Sequence, residues 1–246
     1  MQKQTHHLLL IWMMLASVVL FGLYIAWHEE VLLMLYLGDK SRLSWAISLL
    51  FVLISLYCAR RVLLVSQELN RSNTVYEMIT RHSGTRLYTK EGTIYLADEI
   101  RLPDCMLTVF LLDLAYDRAD RSVETESTSS DLLEVYEARL KNPHNIGWFF
   151  SDIMIKLGLL GTIIGFVLML GSVINVTDFD VSTMQNILRQ MSAGMGTALY
   201  TTFAGLVCSI ITATQFHLLD QGADELVDQA KHLTHAHFLP RFGQIA

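Results

Sequence analysis

Residues 158–165 read Gly-Leu-Leu-Gly-Thr-Ile-Ile-Gly, and residues 194–206 read Gly-Met-Gly-Thr-Ala-Leu-Tyr-Thr-Thr-Phe-Ala-Gly-Leu. Each stretch lies in a run without Asp, Glu, Lys or Arg, 157–177 and 190–219. A helix of roughly 20 residues crosses a bilayer core of about 30 Å, so each run is long enough to span. Neither is a plain greasy anchor. In the second run Gly194, Ala198, Thr202, Gly205, Ser209 and Thr212 recur at steps of three and four. That spacing places small and hydroxyl side chains on one helix face. In the first run Gly158, Gly161 or Thr162, Gly165 and Ser172 do the same. Small residues let helix backbones approach closely in lipid, so Gly158, Gly161, Gly165, Gly194, Ala198, Gly205 and Ser209 are expected to pack helix on helix.

Working outward, two more uncharged runs appear at 8–27 and 43–59. The first is longer than the apolar core of a signal peptide and lacks a small-residue cleavage site, so a retained span is expected. Arg60 and Arg61 follow the second directly, which marks its end as cytoplasmic. The expected fold is an all-α membrane protein of four transmembrane helices, both termini cytoplasmic. A mainly helical cytoplasmic insertion separates helices 2 and 3. The segments are 1–59 for spans 1 and 2, 60–147 for the cytoplasmic domain, 148–219 for spans 3 and 4, and 220–246 for a cytoplasmic tail.

Composition agrees with a membrane location. Hydrophobic residues make up 52% of the chain and charged residues 17%, with a mean hydropathy of +0.38, too apolar for an ordinary soluble domain. A net charge of −6 without a basic block argues against nucleic acid as a partner. Cys58, Cys105 and Cys208 are scattered and form no CxxC, so free thiols are expected.

The loops give weaker signals. Residues 31–37 form an apolar patch that could lie amphipathically on the outer surface. The second span should continue as helix to about Arg81, broken by Ser83-Gly84. Residues 85–97 alternate in a strand-like way. After Pro103 a helix over 104–121 carries Met106, Val109, Phe110, Asp113, Leu114 and Asp117 in helical register. Residues 122–130 read as a polar linker. Asp131-x-x-Glu134 then starts a helix that Asn142-Pro143 should end. Asp152 and Lys156, four apart, can pair at the membrane edge. Asp178 and Asp180 fall in an outer loop, where they are solvated or attract cations. Asn175-Val176-Thr177 fits a glycosylation pattern by chance. His232, His235 and His237 belong to a polar tail, helical to about His237 and stopped by Pro240, rather than to a metal site.

The two quoted motifs, with the two-plus-two layout of spans, resemble the MotA/TolQ/ExbB proton channel family. The resemblance implies a ring of five such subunits around two copies of a single-span partner of the ExbD/TolR/MotB type, whose transmembrane aspartate takes up and releases the ion. It implies a bacterial inner-membrane stator that turns a proton or sodium motive force into work. Thr162 and Thr202 match the family's pore threonines. Thr201, about 100° round the helix from Thr202, either packs between subunits or adds a hydroxyl for sodium. The residues themselves fit that division of labour: the spans hold no Asp or Glu, and a proton relay in a membrane needs an ionisable group. The alternative is a membrane scaffold or sensor that does not conduct. An enzyme is not expected, since no Asp pair or Ser-His dyad lies in the spans, and no cofactor beyond the transported ion is implied.

Overall fold

The structure is a computed structural model that describes residues 7–81, 87–90, 93–96, 100–120, 126–174, 181–234 and 236. Ser83-Gly84, Asn175-Val176-Thr177, Asp178, Asp180, His235, His237 and Pro240 lie outside the described residues, as does the side chain of Ser172. The elements run α1 (His7–His28), α2 (Val31–Gly38), α3 (Leu43–Arg81), β1 (Leu87–Lys90), β2 (Thr93–Leu96), β3 (Ile100–Arg101), α4 (Met106–Asp120), α5 (Glu126–Ile174) and α6 (Val181–Leu233). Four helices, α1, α3, α5 and α6, contain windows long and apolar enough to cross a membrane. The chain is a multi-pass membrane protein.

Two compact units form. An apolar unit holds Trp12–Ala59 and Asn145–His217, and a polar unit holds the described parts of Met1–Ile11, Arg60–His144 and Leu218–Ala246. In the apolar unit the buried residues of α3 are Ser44, Ile47, Phe51, Ile54 and Cys58. Those of α5 are Gly147, Ser151, Met154, Gly158, Gly161 and Gly165, and those of α6 include Gly194, Thr197, Thr201, Gly205, Thr212 and Phe216. Steps of three and four, averaging between 3.5 and 3.7 in the three helices, keep one seam of each helix facing its neighbours over several turns. Small residues on α5 leave room for large ones on α6: the Phe216 ring, fully buried, fills the space a side chain at residue 147 would take. The outward faces carry Leu49, Leu53, Ile163, Phe166, Leu199, Phe203 and Ile210, all exposed. No water-soluble surface carries so much contiguous apolar area, and lipid or further subunits must cover it.

α2 is a helix, but it is not amphipathic. Its sequence Val-Leu-Leu-Met-Leu-Tyr-Leu-Gly is apolar on every side; Leu35 is buried while Leu33, Met34 and Leu37 are exposed. At eight residues it is too short to span. Its exit is fixed by Asp39, 3% exposed. One carboxylate oxygen accepts from Ser41 N at 2.8 Å and Ser41 Oγ at 2.5 Å, and the other from Ser44 N at 2.7 Å. The last of these caps the start of α3, where the helix dipole favours negative charge. Burial by itself pushes this carboxyl up, yet the hydrogen bonds from Ser41 and Ser44 outweigh it and hold Asp39 below its ordinary value. The sign follows: its contribution is full above the unfolded value of about 3.9 and is lost as pH falls through the lower folded value. Asp39→Ala should lower stability by about 1–2 kcal/mol, read as a drop in the thermal midpoint of the purified protein at neutral pH that narrows on acidification.

In the polar unit, β1, β2 and β3 form an antiparallel three-stranded sheet in that order, with Tyr88 opposite Tyr95 and Leu96 opposite Ile100. α4 buries Leu107, Phe110, Leu111 and Leu114, while Val109 is 48% exposed and Asp113 is exposed. The register expected from Val109 and Asp113 is therefore rotated from the real core face. Phe110 meets Tyr136 of α5 with ring centroids 5.1 Å apart. Two boundaries also differ from expectation. Residues 126–130 are helical, and α5 runs through Pro143 to Ile174. Proline removes one backbone donor, but Leu140, His144 and Gly147 around it are all buried on one side, and that packing holds the helix together. The region after Asp220 is likewise part of a core: Ala223, Leu226, Val227 and Ala230 are buried.

Candidate functional site

The site is where α5 and α6 touch. Because Gly158, Gly161, Gly165, Gly194 and Gly205 lack side chains, the two backbones come together. A Cβ added at Gly205 would lie 2.7 Å from Met154 O and 3.0 Å from Gly158 Cα. One at Gly165 would lie 2.6 Å from Ala198 N and 2.7 Å from Gly194 O, and one at Gly194 would lie 2.8 Å from Gly165 O. Gly161 backs onto the Thr201 side chain. The expected packing residues Gly158, Gly161, Gly165, Gly194, Ala198 and Gly205 thus meet in one contact.

Hydroxyls fasten this contact along its length. Ser209, the remaining packing residue, has its Oγ 2.9 Å from Ser151 Oγ, and Ser151 also donates to Ser209 O at 3.1 Å. Thr212 donates to Met154 Sδ at 3.8 Å, and Gln215 Nε2 donates to Ser55 Oγ of α3 at 3.1 Å. Thr197, fully buried, accepts from Lys40 N at 3.3 Å, with its Oγ1 3.1 Å from Gly38 O. It ties the end of α2 to α6. Ser151, Gln215 and Thr197 were not singled out by sequence. Their signal was the 3.5-residue period, which passes through each.

The three threonines separate. Thr201 is fully buried against Gly161, its hydroxyl 2.9 Å from Thr197 O and 3.1 Å from Ala198 O. It packs inside one chain and reaches no open surface. Thr202 and Thr162 are half-buried. Thr202 Oγ1 lies 3.0 Å from Ala198 O and 3.2 Å from Gly158 O across the contact. Thr162 donates to Leu159 O at 2.6 Å. Thr162 lines a groove with Gly165, Phe166, Met169, Met195 and Ala198, and Thr202 follows Ala198 by one turn. Each hydroxyl directs its single proton at a backbone carbonyl. Among the described residues neither accepts a hydrogen bond, so both keep lone pairs free, those of Thr162 at the groove.

Asp152 and Lys156 pair on the exposed side of α5, four residues apart. Exposed pairs of this kind contribute little to stability. Among the described residues no three His, Cys, Asp or Glu side chains are placed to hold a metal.

The sequence profile of the MotA/TolQ/ExbB proton channel family matches residues 111–232. The chain belongs to this family. The match starts inside α4 and takes in all of α5 beyond residue 126 and nearly all of α6, so the groove, the glycine contact and both half-buried threonines lie within the proton channel region. The chain matches no curated protein and no solved structure.

Proposed function

We propose that this family member is a ring-forming subunit, in five copies, of an inner-membrane stator that converts proton or sodium motive force into work. Its partner is a dimeric single-span protein of the ExbD/TolR/MotB type carrying one transmembrane aspartate. Both termini and residues 60–147 face the cytoplasm. The observation that carries this reading is an apolar groove lined by the Thr162 hydroxyl, with Thr202 one turn beyond its Ala198 wall, in spans that hold no acid of their own. Residues 8–27, 43–59, 157–177 and 190–219 contain no Asp or Glu, so in this reading the titrating carboxyl is supplied by another chain.

The chemistry sets a direction. A protonated carboxylic acid can donate to Thr162 or Thr202 and rest in an apolar groove. An ionised carboxylate only accepts, meets hydroxyls whose protons already serve backbone carbonyls, and is costly to bury. Protonation therefore favours docking and ionisation favours release. One charge crossing 100 mV supplies about 2.3 kcal/mol per cycle, enough to bias each step by more than tenfold.

The test is reconstitution. The purified chain alone should leave vesicles tight to protons and sodium, and flux should appear only with the co-purifying single-span protein. Changing that protein's transmembrane Asp to Asn should abolish flux with assembly intact. Conduction by this chain alone, or a preparation in which no acid-bearing partner is ever found, would overturn the proposal.

A further inference from the structure

The polar unit contains a buried titratable cluster that the channel chemistry does not use. His144 of α5 is 1% exposed, and its Nδ1 lies 2.6 Å from Asp220 Oδ1 of α6. Among the described residues the other ring nitrogen, Nε2, is buried without a partner, as is Nε of Arg61 from α3. The Arg61 guanidinium reaches Leu140 O at 3.5 Å, one turn before His144. Lys141, beside His144 on α5, pairs with Glu137 and, at 2.7 Å, with Asp224 of α6. The charges acting on His144 are thus Asp220 from α6, Arg61 from α3 and Lys141 from its own helix.

This arrangement suits a neutral imidazole. Nδ1–H donates to the Asp220 carboxylate, and Nε2 carries only a lone pair. A second proton would place an N–H on Nε2 where no acceptor waits, in a buried site beside two cations. Burial lowers His144's affinity for that proton most, Asp220 opposes this, and Arg61 and Lys141 reinforce it.

We propose that His144 and Asp220 form a proton-operated latch, closed when His144 is neutral, whose protonation releases α5 from α6 within the polar unit. Under the proposed function this unit faces the side that receives the ions, so the latch would report acidification there and loosen the stator under it. That consequence rests on the stator reading; the latch itself does not.

The sign is fixed by linkage. A histidine buried neutral stabilises fully above its unfolded value of about 6.5, and the contribution drains away as pH falls below it. Between pH 7.5 and 5.5 the opening equilibrium should rise roughly tenfold, the change expected for one such proton. Hydrogen exchange of the full chain in lipid discs, corrected for the intrinsic pH dependence and run without an ion gradient, reads this directly. Amides of residues 137–144 and 218–224 should lose protection by about that factor. Arg61→Gln should move the transition to higher pH and Asp220→Asn to lower pH, by roughly half a unit or more each. His144→Gln should flatten the response. A structural role alone predicts destabilisation in both charge variants with no opposed shifts. An unresponsive wild-type chain, shifts in the same direction, or an unchanged response in His144→Gln would overturn the latch, whatever the vesicle flux shows.

Discussion

Gly205→Val should abolish the α5–α6 contact and with it the assembled complex, while Gly171→Val leaves both intact. The groups a new Cβ would strike at Gly205 are backbone: Met154 O at 2.7 Å, Gly158 Cα at 3.0 Å and Gly158 N at 3.3 Å. Overpacking against movable side chains costs about 1–3 kcal/mol, but backbone cannot turn aside, so here the helices must part. Parting them breaks the Thr202 bond to Gly158 O and opens a seam that is dispersion-driven, since lipid offers no hydrophobic gain to compensate. The series is graded. Gly165→Val should match Gly205→Val, because its clashes are with Ala198 N and Gly194 O. Gly161→Ala should also be disruptive, since its Cβ would overlap the Thr201 hydroxyl and Cβ, and a Cβ fixed to a buried backbone cannot turn aside. Gly158→Ala should fall in between, since its Cβ would press on Gly205 Cα, Thr201 O and Thr202 Cα, all backbone, at 3.3–3.4 Å, and the helices must give by a few tenths of an ångström. Gly171 has nothing within 4 Å. Yield of inserted protein and the thermal midpoint in detergent rank the five. Equal tolerance of valine at Gly205 and Gly171 would show that the close approach is dispensable.

Most of the fold could be read from residues because the spans are long and uncharged, and apolar runs of that length have few alternatives. The same periodicity placed the glycines, though with a small rotation. The stripe read through Ala198, Thr202 and Gly205 has its buried centre at Thr197, Thr201 and Gly205, leaving Thr202 at the rim. A 3.6-residue helix and a 3.5-residue seam drift apart slowly, so steps of three and four alone cannot tell a central residue from its flank. Where sequence signals were local, tertiary packing prevailed. Pro143 is a strong breaker on its own, yet α5 continues through it, because Leu140, His144 and Gly147 are buried around it. On α4, Val109 and Phe110 are equally apolar, and only the neighbouring elements decide that Phe110 faces Tyr136. The His144–Asp220 pair was not legible at all, since 76 residues separate its members.

Thr202→Val should cut ion flux about tenfold or more while the complex stays assembled. Valine matches threonine in shape, so the Gly158 and Ala198 neighbours keep their packing, and what disappears is one half-buried hydroxyl with its bonds to Gly158 O and Ala198 O. If that oxygen receives a hydrogen bond from the partner's protonated carboxyl, its loss removes about 1.4 kcal/mol from the docked state, the upper part of the range for one such bond, and that is a factor of ten. Thr162→Val should act in the same way, and the pair together more severely than either, since both hydroxyls would serve one acid. Thr201→Val supplies the contrast. Its hydroxyl is buried and bonded to carbonyls of its own helix, so flux per assembled complex should stay near wild type even if stability falls. Thr202→Ser, which keeps the oxygen, should retain most of the flux. The five variants compared in one vesicle preparation separate chemistry from packing: hydroxyl recognition predicts losses at residues 162 and 202 and none at 201. A uniform loss that followed stability, or normal flux in the double variant, would assign the threonines to packing and leave the acid to be recognised by something else in the groove.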